Sequence, residues 1–422
     1  MAGYRERVAD DLVRAALNTF GAVIIEGPRA SGKTTTGRKI SASWVALDAD
    51  PNAAELARIS PGSILNGTTP RLIDEWQLAP SLWNSVRHEV DNRRATGQFI
   101  LTGSATPDDD TTRHSGAGRF GRVTLRPMTL FESGDSTGQI SAASLLEPAA
   151  SRPSIGGLGG PTVERYAELV VRGGWPALVD RPSMSPGMYL RSYLDDVSRV
   201  DLPGAVGRVD PMRVSALIHA IARNVSTEAT AVKLAKEAEL TGNDNKVSAQ
   251  TARKYIDALS RVFVVEEQPP WAPHLRSSVR LNNSPKWHFV DPSLAAAALG
   301  ADPGWLLADM PTFGLLFESL CIRDLRVLLE PAGGAVYHYR DASKLEVDAV
   351  VDTPSGRWSA FEIKMGDPAK VDQAAKSLKA LAGKVSDARR ESLMSLNVIT
   401  AGKVSFTRED GVNVIALGHL RL

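Results

Sequence analysis

Short apolar runs alternate with amphipathic stretches through the first third of the chain. The β-branched run AVIIEG, Ala22 to Gly27, leads straight into a glycine-rich turn and a polar helix pattern. Further runs follow in WVALDAD near Ala46, RLIDE ending at Glu75 and QFILTGS ending at Ser104, with helix-like stretches such as LWNSVRHEVDNRR between them. Strands alternating with helices predict a parallel sheet covered on both faces. The pattern changes over Ser133 to Pro161, where Gly, Ser, Ala and Pro dominate, and this composition predicts a mobile insertion or linker. Helical periodicity returns in VERYAELVVR and MYLRSYLDDVSRVDL, on either side of Gly173-Gly174, and predicts a small helical subdomain. Between Met212 and Glu267, three helical patterns precede the β-rich run VFVVEEQ, the order of a winged helix-turn-helix unit, and Pro269-Pro270 closes it. Beyond lie the strand-like KWHFVD, the helix-like GLLFESLCIRDLRVLLE, and two strands, LEVDAVVD and WSAFEIKM, joined across Thr353-Pro354-Ser355-Gly356. The chain thus divides at residues 1–132, 133–161, 162–204, 205–270 and 271–422.

At 422 residues the chain has room for several cores. Hydrophobic residues at 43% and charged residues at 23% exclude a disordered or fibrous class. Lys plus Arg number 49 against 48 Asp plus Glu, so net charge argues neither for nor against nucleic acid, and a local basic patch stays open. No apolar run reaches the roughly 18 residues of a membrane span, and the charged amphipathic start has no signal-peptide core. The expectation is a cytoplasmic protein without a membrane partner. Its one cysteine, Cys321, lies in an apolar pattern, which excludes an intrachain disulfide and a thiolate zinc site.

The first chemical signal is Gly27-Pro28-Arg29-Ala30-Ser31-Gly32-Lys33-Thr34, with Thr35 next, which fits the P-loop spacing after a strand and before a helix. Backbone N–H groups of such a loop form an anion nest, reinforced by the helix N-terminus. Lys33 would meet the β and γ phosphates of ATP, and the Thr34 hydroxyl would ligate Mg²⁺. Leu72-Ile73-Asp74-Glu75 ends a strand in two acids that face opposite ways. Asp74 would complete the Mg²⁺ shell and Glu75 would orient or activate water; alone, such a pair is usually a solvated turn, and the preceding P-loop reverses that preference. Thr102 and Ser104, at another strand end, are candidates for contact with the γ-phosphate or the attacking water. Arg119 and Arg122 are candidates for transition-state charge, in cis or from a neighbouring subunit, with surface arginines the bland alternative.

The set GPRASGKTT, LIDEWQLAP, FILTGSAT followed by GRFGRVTLRPMTLFE, and RGGWPALV with YLRSYLDDVSRVDL resembles a prokaryotic AAA-type ATPase family with a C-terminal domain of unknown function. The resemblance covers nearly the whole chain apart from the glycine-rich insertion. It implies that Lys33, Thr34, Asp74 and Glu75 serve Mg-ATP, that ATP is bound and slowly hydrolysed, and that the helical segment 162–204 is a lid. The long insertion departs from the pattern, so Arg191 and Arg199 are only candidate lid arginines.

The second signal is Asp348 in LEVDAVVD followed across a hairpin by Glu362-Ile363-Lys364. Glu362 and Lys364, two apart on a strand, share a face, and Asp348 on the preceding strand can converge on them. This resembles the core of restriction-endonuclease-like nucleases, the PD-(D/E)XK fold. The resemblance implies Mg²⁺ held by Asp348, Glu362 and a helical Glu, for which Glu318 is the candidate, with Lys364 stabilising hydroxide or developing charge and Gln373 an accessory group. An exposed cross-strand ion pair is the bland explanation. On Ser248 to Arg261, the residues Ser248, Gln250, Thr251, Arg253 and Lys254 would contact DNA phosphates or base edges if this helix entered a groove; an interdomain spacer is the alternative.

The expected architecture is therefore α/β: a P-loop parallel-sheet ATPase core, a helical lid, a winged-helix-like region and a C-terminal α/β restriction-endonuclease-like domain. The leading functional expectation is an ATP hydrolase controlling a nucleic-acid-processing module. The alternative is a nucleotide-gated regulatory protein whose nuclease-like domain has lost its chemistry and recognises DNA or a protein partner. A small-molecule kinase is weaker, because nothing after Thr34 suggests an acceptor pocket. Oligomeric state stays open.

Overall fold

The computed structural model describes residues 3–103, 116–203, 209–239, 247–273 and 284–422. Five strands, β1 (Ala22–Glu26), β2 (Ser43–Ala46), β3 (Arg71–Asp74), β4 (Phe99–Thr102) and β5 (Phe120–Thr124), form a sheet in the order β2-β3-β4-β1-β5. Every neighbouring pair in it is parallel. The inner strands β1, β3 and β4 are buried on both faces, as their unbroken apolar runs require. Val23 and Ile25 pack with Val13 and Leu17 of the helix Val8–Thr19. Ala22 and Ile24 point the other way, toward Trp83, Val86 and Val90 of the helix Leu82–Arg93. The period-two alternation of β1 thus sorts its side chains between two separate cores.

Sheet order decides the first site. β4 lies between β1 and β3, and one rung joins Ile25, Thr102 and Asp74 across the three strands. The loop after β1, the end of β4 and the end of β3 therefore open at the same carboxyl edge, where ligands of parallel sheets bind.

The composition of 133–161 predicted a linker, and the structure folds this segment into the C-terminal half. Its strand β6 (Ile140–Ser141) runs parallel to the chain's last strand, and β7 (Gly156–Leu158) adds an edge to the C-terminal sheet. Ile140, Leu145 and Leu146 are buried. The glycines serve close packing as well as turns: a Cβ on Gly157 would lie 2.5 Å from His419 Nδ1.

Helices Val163–Arg172, Pro176–Asp180 and Pro186–Asp196 follow, and then Pro211–Arg223, Ala231–Glu239 and Ala249–Arg261. The last three lead to an antiparallel pair, β8 (Val265–Gln268) and β9 (Lys286–Phe289). These helices share one buried core with the long helix Met310–Leu329.

The C-terminal sheet contains β10 (Ala335–Arg340), β11 (Glu346–Asp352), β12 (Trp358–Lys364), β13 (Leu393–Thr400), β14 (Val404–Thr407) and β15 (Asn413–Ala416), ordered β10-β11-β12-β13-β15-β14-β7. β10, β11 and β12 form an antiparallel meander, the helix Pro368–Lys384 crosses over, and β13 returns parallel to β12. The remaining strand, β16 (Leu420–Arg421), pairs with β6. Phe317 and Leu320 of the long helix pack on one face of the sheet, and Ala374 and Leu378 of the crossover helix on the other. Tyr337 pairs with Val350 and Tyr339 with Val347, so β11 carries an extra residue at this point, a β-bulge beside Asp348. Among the described residues no helix is long and apolar enough to cross a membrane.

Candidate functional site

At the P-loop, Gly27 and Gly32 have φ of +146° and +103°. A Cβ on Gly27 would come within 2.3 Å of Leu125 O, so only glycine fits this turn. Lys33 opens the helix Lys33–Ile40 and turns back into the loop. Its Nζ donates to Gly27 O at 2.9 Å and to Pro28 O at 2.7 Å. Burial lowers the pKa of this ammonium to about 8, against the opposing charges of Glu75 and Asp74.

Asp74 accepts from Thr34 Oγ1 at 2.9 Å and from Thr102 Oγ1 at 2.5 Å through one carboxylate oxygen. Glu75 leaves the strand in the left-handed region at φ +55°, which parts the two acids. Its carboxylate accepts from Gln77 Nε2. Burial raises the Glu75 pKa, partly opposed by Gln77 and Lys33.

Groups outside the contiguous motif hold this loop and the acid beside it. Arg7, 6% exposed, donates to Ser31 O at 3.0 Å and to Arg126 O at 2.6 Å, and its Nε pairs with Glu132 at 3.1 Å. Arg29 pairs with Asp201 of the helical region at 2.8 Å. Burial raises the Asp201 pKa even with that partner. Gln77 positions Glu75. No sequence motif marks Arg7, and although Asp201 lies in YLRSYLDDVSRVDL its pairing with Arg29 spans a long separation, whereas Gln77 lies two residues from the acid it holds.

The second site gathers Glu318, Asp348, Glu362 and Lys364, the four residues named from the sequence, and adds Lys286 and Glu346. Lys364 Nζ is 2.9 Å from Asp348 Oδ2 and 2.6 Å from Glu362 Oε2. The Ile363 amide donates to the same Asp348 oxygen at 2.8 Å. Lys286 Nζ lies 3.0 Å from Glu318, 3.0 Å from Glu346 and 3.8 Å from Asp348. A cavity of about 650 Å³ opens here, lined by Glu346, Asp348, Glu362, Lys364, Gln373 and Lys384.

Charge balance explains the pKa pattern. Burial pushes Glu362 up to about 9, helped by the charge of Asp348 and opposed by Lys364. Burial likewise raises Glu318 to about 7, against Lys286. Asp348 goes the other way: burial opposes it, but Lys286, Lys364 and the Ile363 amide hold it down at about 2. For both lysines burial is outweighed by the carboxylates, and their pKa values rise. Protons on Glu362 and Glu318 thus relieve an excess of acids over ammonium groups.

Hard carboxylate oxygens suit Mg²⁺ or Mn²⁺, and ammonium groups stand among them as cations. Yet among the described residues no group of three or more His, Cys, Asp or Glu side chains is arranged to hold a metal ion. Lysines separate the carboxylates as the chain stands.

Residues 19–133 match the family described as AAA domain. The chain carries an AAA-type P-loop ATPase domain. Residues 163–304 and 313–420 match two families described as domains of unknown function, DUF8612 and DUF4143. An uncharacterized protein of Mycobacterium tuberculosis and another of Mycobacterium bovis are each 28% identical to this chain over 371 residues, covering 86% of this chain and 75% of theirs. Among solved structures, the Walker-type ATPase of Pyrococcus abyssi is 12% identical with a TM-score of 0.40, covering 69% of this chain and 94% of that one.

Within the AAA domain, Arg119 pairs with Asp91 at 2.8 Å and Arg122 with Glu26 at 2.7 Å. Thr102 reaches Asp74, and Ser104 lies outside the described residues. Arg191 and Arg199 are exposed, and the acid Asp201 of the helical region pairs with Arg29 of the AAA domain's loop. Ser248 caps its helix by accepting from the Thr251 amide at 3.1 Å, which occupies a hydroxyl expected to face nucleic acid. Arg253 and Lys254 are exposed on that helix.

Proposed function

We propose that Mg-ATP binding and hydrolysis in the AAA domain control a C-terminal nuclease-like module that acts on nucleic acid. At the first site, Thr34 and Asp74 would hold the Mg²⁺ that accompanies ATP, and Lys33 would exchange its loop carbonyls for phosphate oxygens. Glu75, with its pKa raised by burial, is suited to take a proton from water. Arg119 and Arg122 remain candidates for charge supplied in trans.

The observation that carries the reading of the second site is that Asp348, Glu362 and Lys364 line one cavity, with Glu318 tied to Asp348 through Lys286, on a helix, three antiparallel strands, a crossover helix and a parallel strand. That order supports a restriction-endonuclease-like fold. Asp348 and Glu362 would hold a divalent cation, which would supply Lewis acidity at a phosphodiester. Lys364, two residues from Glu362 and at the cavity, would stabilise developing negative charge. The three helices with β8 and β9 support a winged-helix reading, in which Arg253, Lys254 and Arg261 would approach a phosphate backbone.

Control by ATP has a physical route. Arg126, just beyond β5, pairs with Glu266 of β8 at 2.9 Å, and Glu266 also pairs with Arg326 of the long helix at 2.5 Å. That helix carries Glu318. Arg126 O in turn accepts from Arg7, which holds the P-loop carbonyl.

The test is cleavage of labelled linear and circular DNA in Mg²⁺ and Mn²⁺, with and without ATP, comparing the wild type with Asp348→Ala while following phosphate release. Cleavage lost in the variant is expected. Phosphate release without cleavage in either protein supports instead the second reading, a nucleotide-gated binding module. Lys286 among the carboxylates is the observation that favours that reading.

A further inference from the structure

We infer that Lys286 is the counter-ion a divalent cation must displace to enter the acidic site, so that the pair β8–β9 sets the site's metal occupancy. This rests on the metal-dependent reading above and names the regulation of that same site.

Lys286 comes from outside the sheet that carries the acids. Its register on β9 is opposite Gln268 of β8. The Gln268 amide donates to Asp348 O at 2.9 Å and to Tyr337 O at 3.0 Å, and its carbonyl contacts His288 Nε2 at 3.0 Å. Gln268 and His288 are both essentially unexposed. The lysine is therefore delivered to the cluster by a buried hydrogen-bond network.

The two lysines of the site differ in one decisive respect. The Lys364 side chain is 27% exposed and lines the cavity, whereas the Lys286 side chain is 3% exposed. An ammonium held among Glu318, Glu346 and Asp348 competes for the lone pairs a hard cation needs, and two cations at contact distance repel. Glu346, 42% exposed at 3.0 Å, offers Lys286 an outward position that keeps an acid partner. A cation held by Asp348 would thus require Lys286 to swing toward Glu346, or β9 to withdraw.

The experiment uses the full chain without nucleotide. Mn²⁺ binding is measured by electron paramagnetic resonance of the free ion for the wild type, Lys286→Met and Asp348→Asn. In parallel, the wild type is acylated with an amine reagent and read by mass spectrometry, with the exposed Lys403 as internal reference. We expect Lys286→Met to bind Mn²⁺ at least about tenfold more tightly, Asp348→Asn to lose that binding, and Lys286 in the wild type to pass from protected to labelled as Mn²⁺ saturates. Equal affinity in the wild type and Lys286→Met, both dependent on Asp348, overturns the role of Lys286 and leaves the metal site standing. Protection of Lys286 that persists at Mn²⁺ saturation does the same, and it decides the matter if Lys286→Met fails to fold. Absence of Asp348-dependent Mn²⁺ binding in all proteins overturns the metal reading as well.

Discussion

Buried lysines mark both sites, and their environments drive them in opposite directions. Lys33 is held by two main-chain carbonyls of its own loop, and its pKa falls to about 8. Lys286 and Lys364 are held by carboxylates, and their pKa values rise. Carbonyl dipoles do not repay the desolvation of an ammonium, whereas ionised carboxylates do. Each lysine therefore reports its surroundings: main-chain carbonyls beside Lys33, and carboxylates beside Lys286 and Lys364. One nest is built for phosphate and the other for positive charge.

The strongest way to break this comparison is Lys33→Ala. Phosphate release should fall by about a hundredfold or more, because the only lysine of the loop is removed from the developing charge. Unchanged turnover would sink the ATPase assignment.

Next in size is the pH dependence of stability conferred by the acidic cluster. Glu362 has a folded pKa of about 9, above its ordinary value of 4.5, so its contribution is full below about 4.5 and is lost as pH rises toward 9. Glu362→Gln should remove that decline, flattening the dependence between pH 6 and 9 by on the order of a few kcal/mol in urea unfolding. Asp348 has the opposite sign: with its pKa held at about 2, below the ordinary 3.8, its contribution is present at neutral pH and lost in acid. A Glu362→Gln protein with the wild-type slope would refute the proton assigned to Glu362.

Arg126→Ala tests the bridge between the two regions. Glu266 would keep Arg326 but lose one buried partner, and stability in denaturant should fall by about 1–3 kcal/mol. Phosphate release should persist while its response to DNA weakens, and an undiminished response would exclude this route. The smallest effect is on ATP affinity, which should weaken several-fold as pH rises from 8 to 10 through the titration of Lys33, and stay flat in Lys33→Arg, whose side chain keeps its charge. Isothermal calorimetry across that range measures it.

Legibility followed sequence distance. The nucleotide loop could be read whole because its turn, its lysine and its helix start are contiguous, and local backbone geometry is dictated by local residues. Asp74 and Glu75 could be read as a strand end. That they part company, one to Thr34 and Thr102 and the other to Gln77, depends on the left-handed backbone at Glu75. In the C-terminal half, the period-two pattern placed Glu362 and Lys364 on one face, and a hairpin turn brought Asp348 beside them. The glycine-rich insertion misled because composition cannot distinguish glycine that frees a chain from glycine that lets it approach another. Gly157 beside His419 is the second kind.

By itself, then, the sequence determined the parallel sheet, the phosphate-binding loop and the acid-x-lysine strand, because each is set by neighbours within a few residues or by a simple period. Only the tertiary structure decided that Arg7 braces the loop, that Asp201 meets Arg29, that residues 133–161 complete the C-terminal sheet and that Lys286 joins the acids. Those pairings link residues far apart along the chain. Their energies come from burial, which no local pattern encodes.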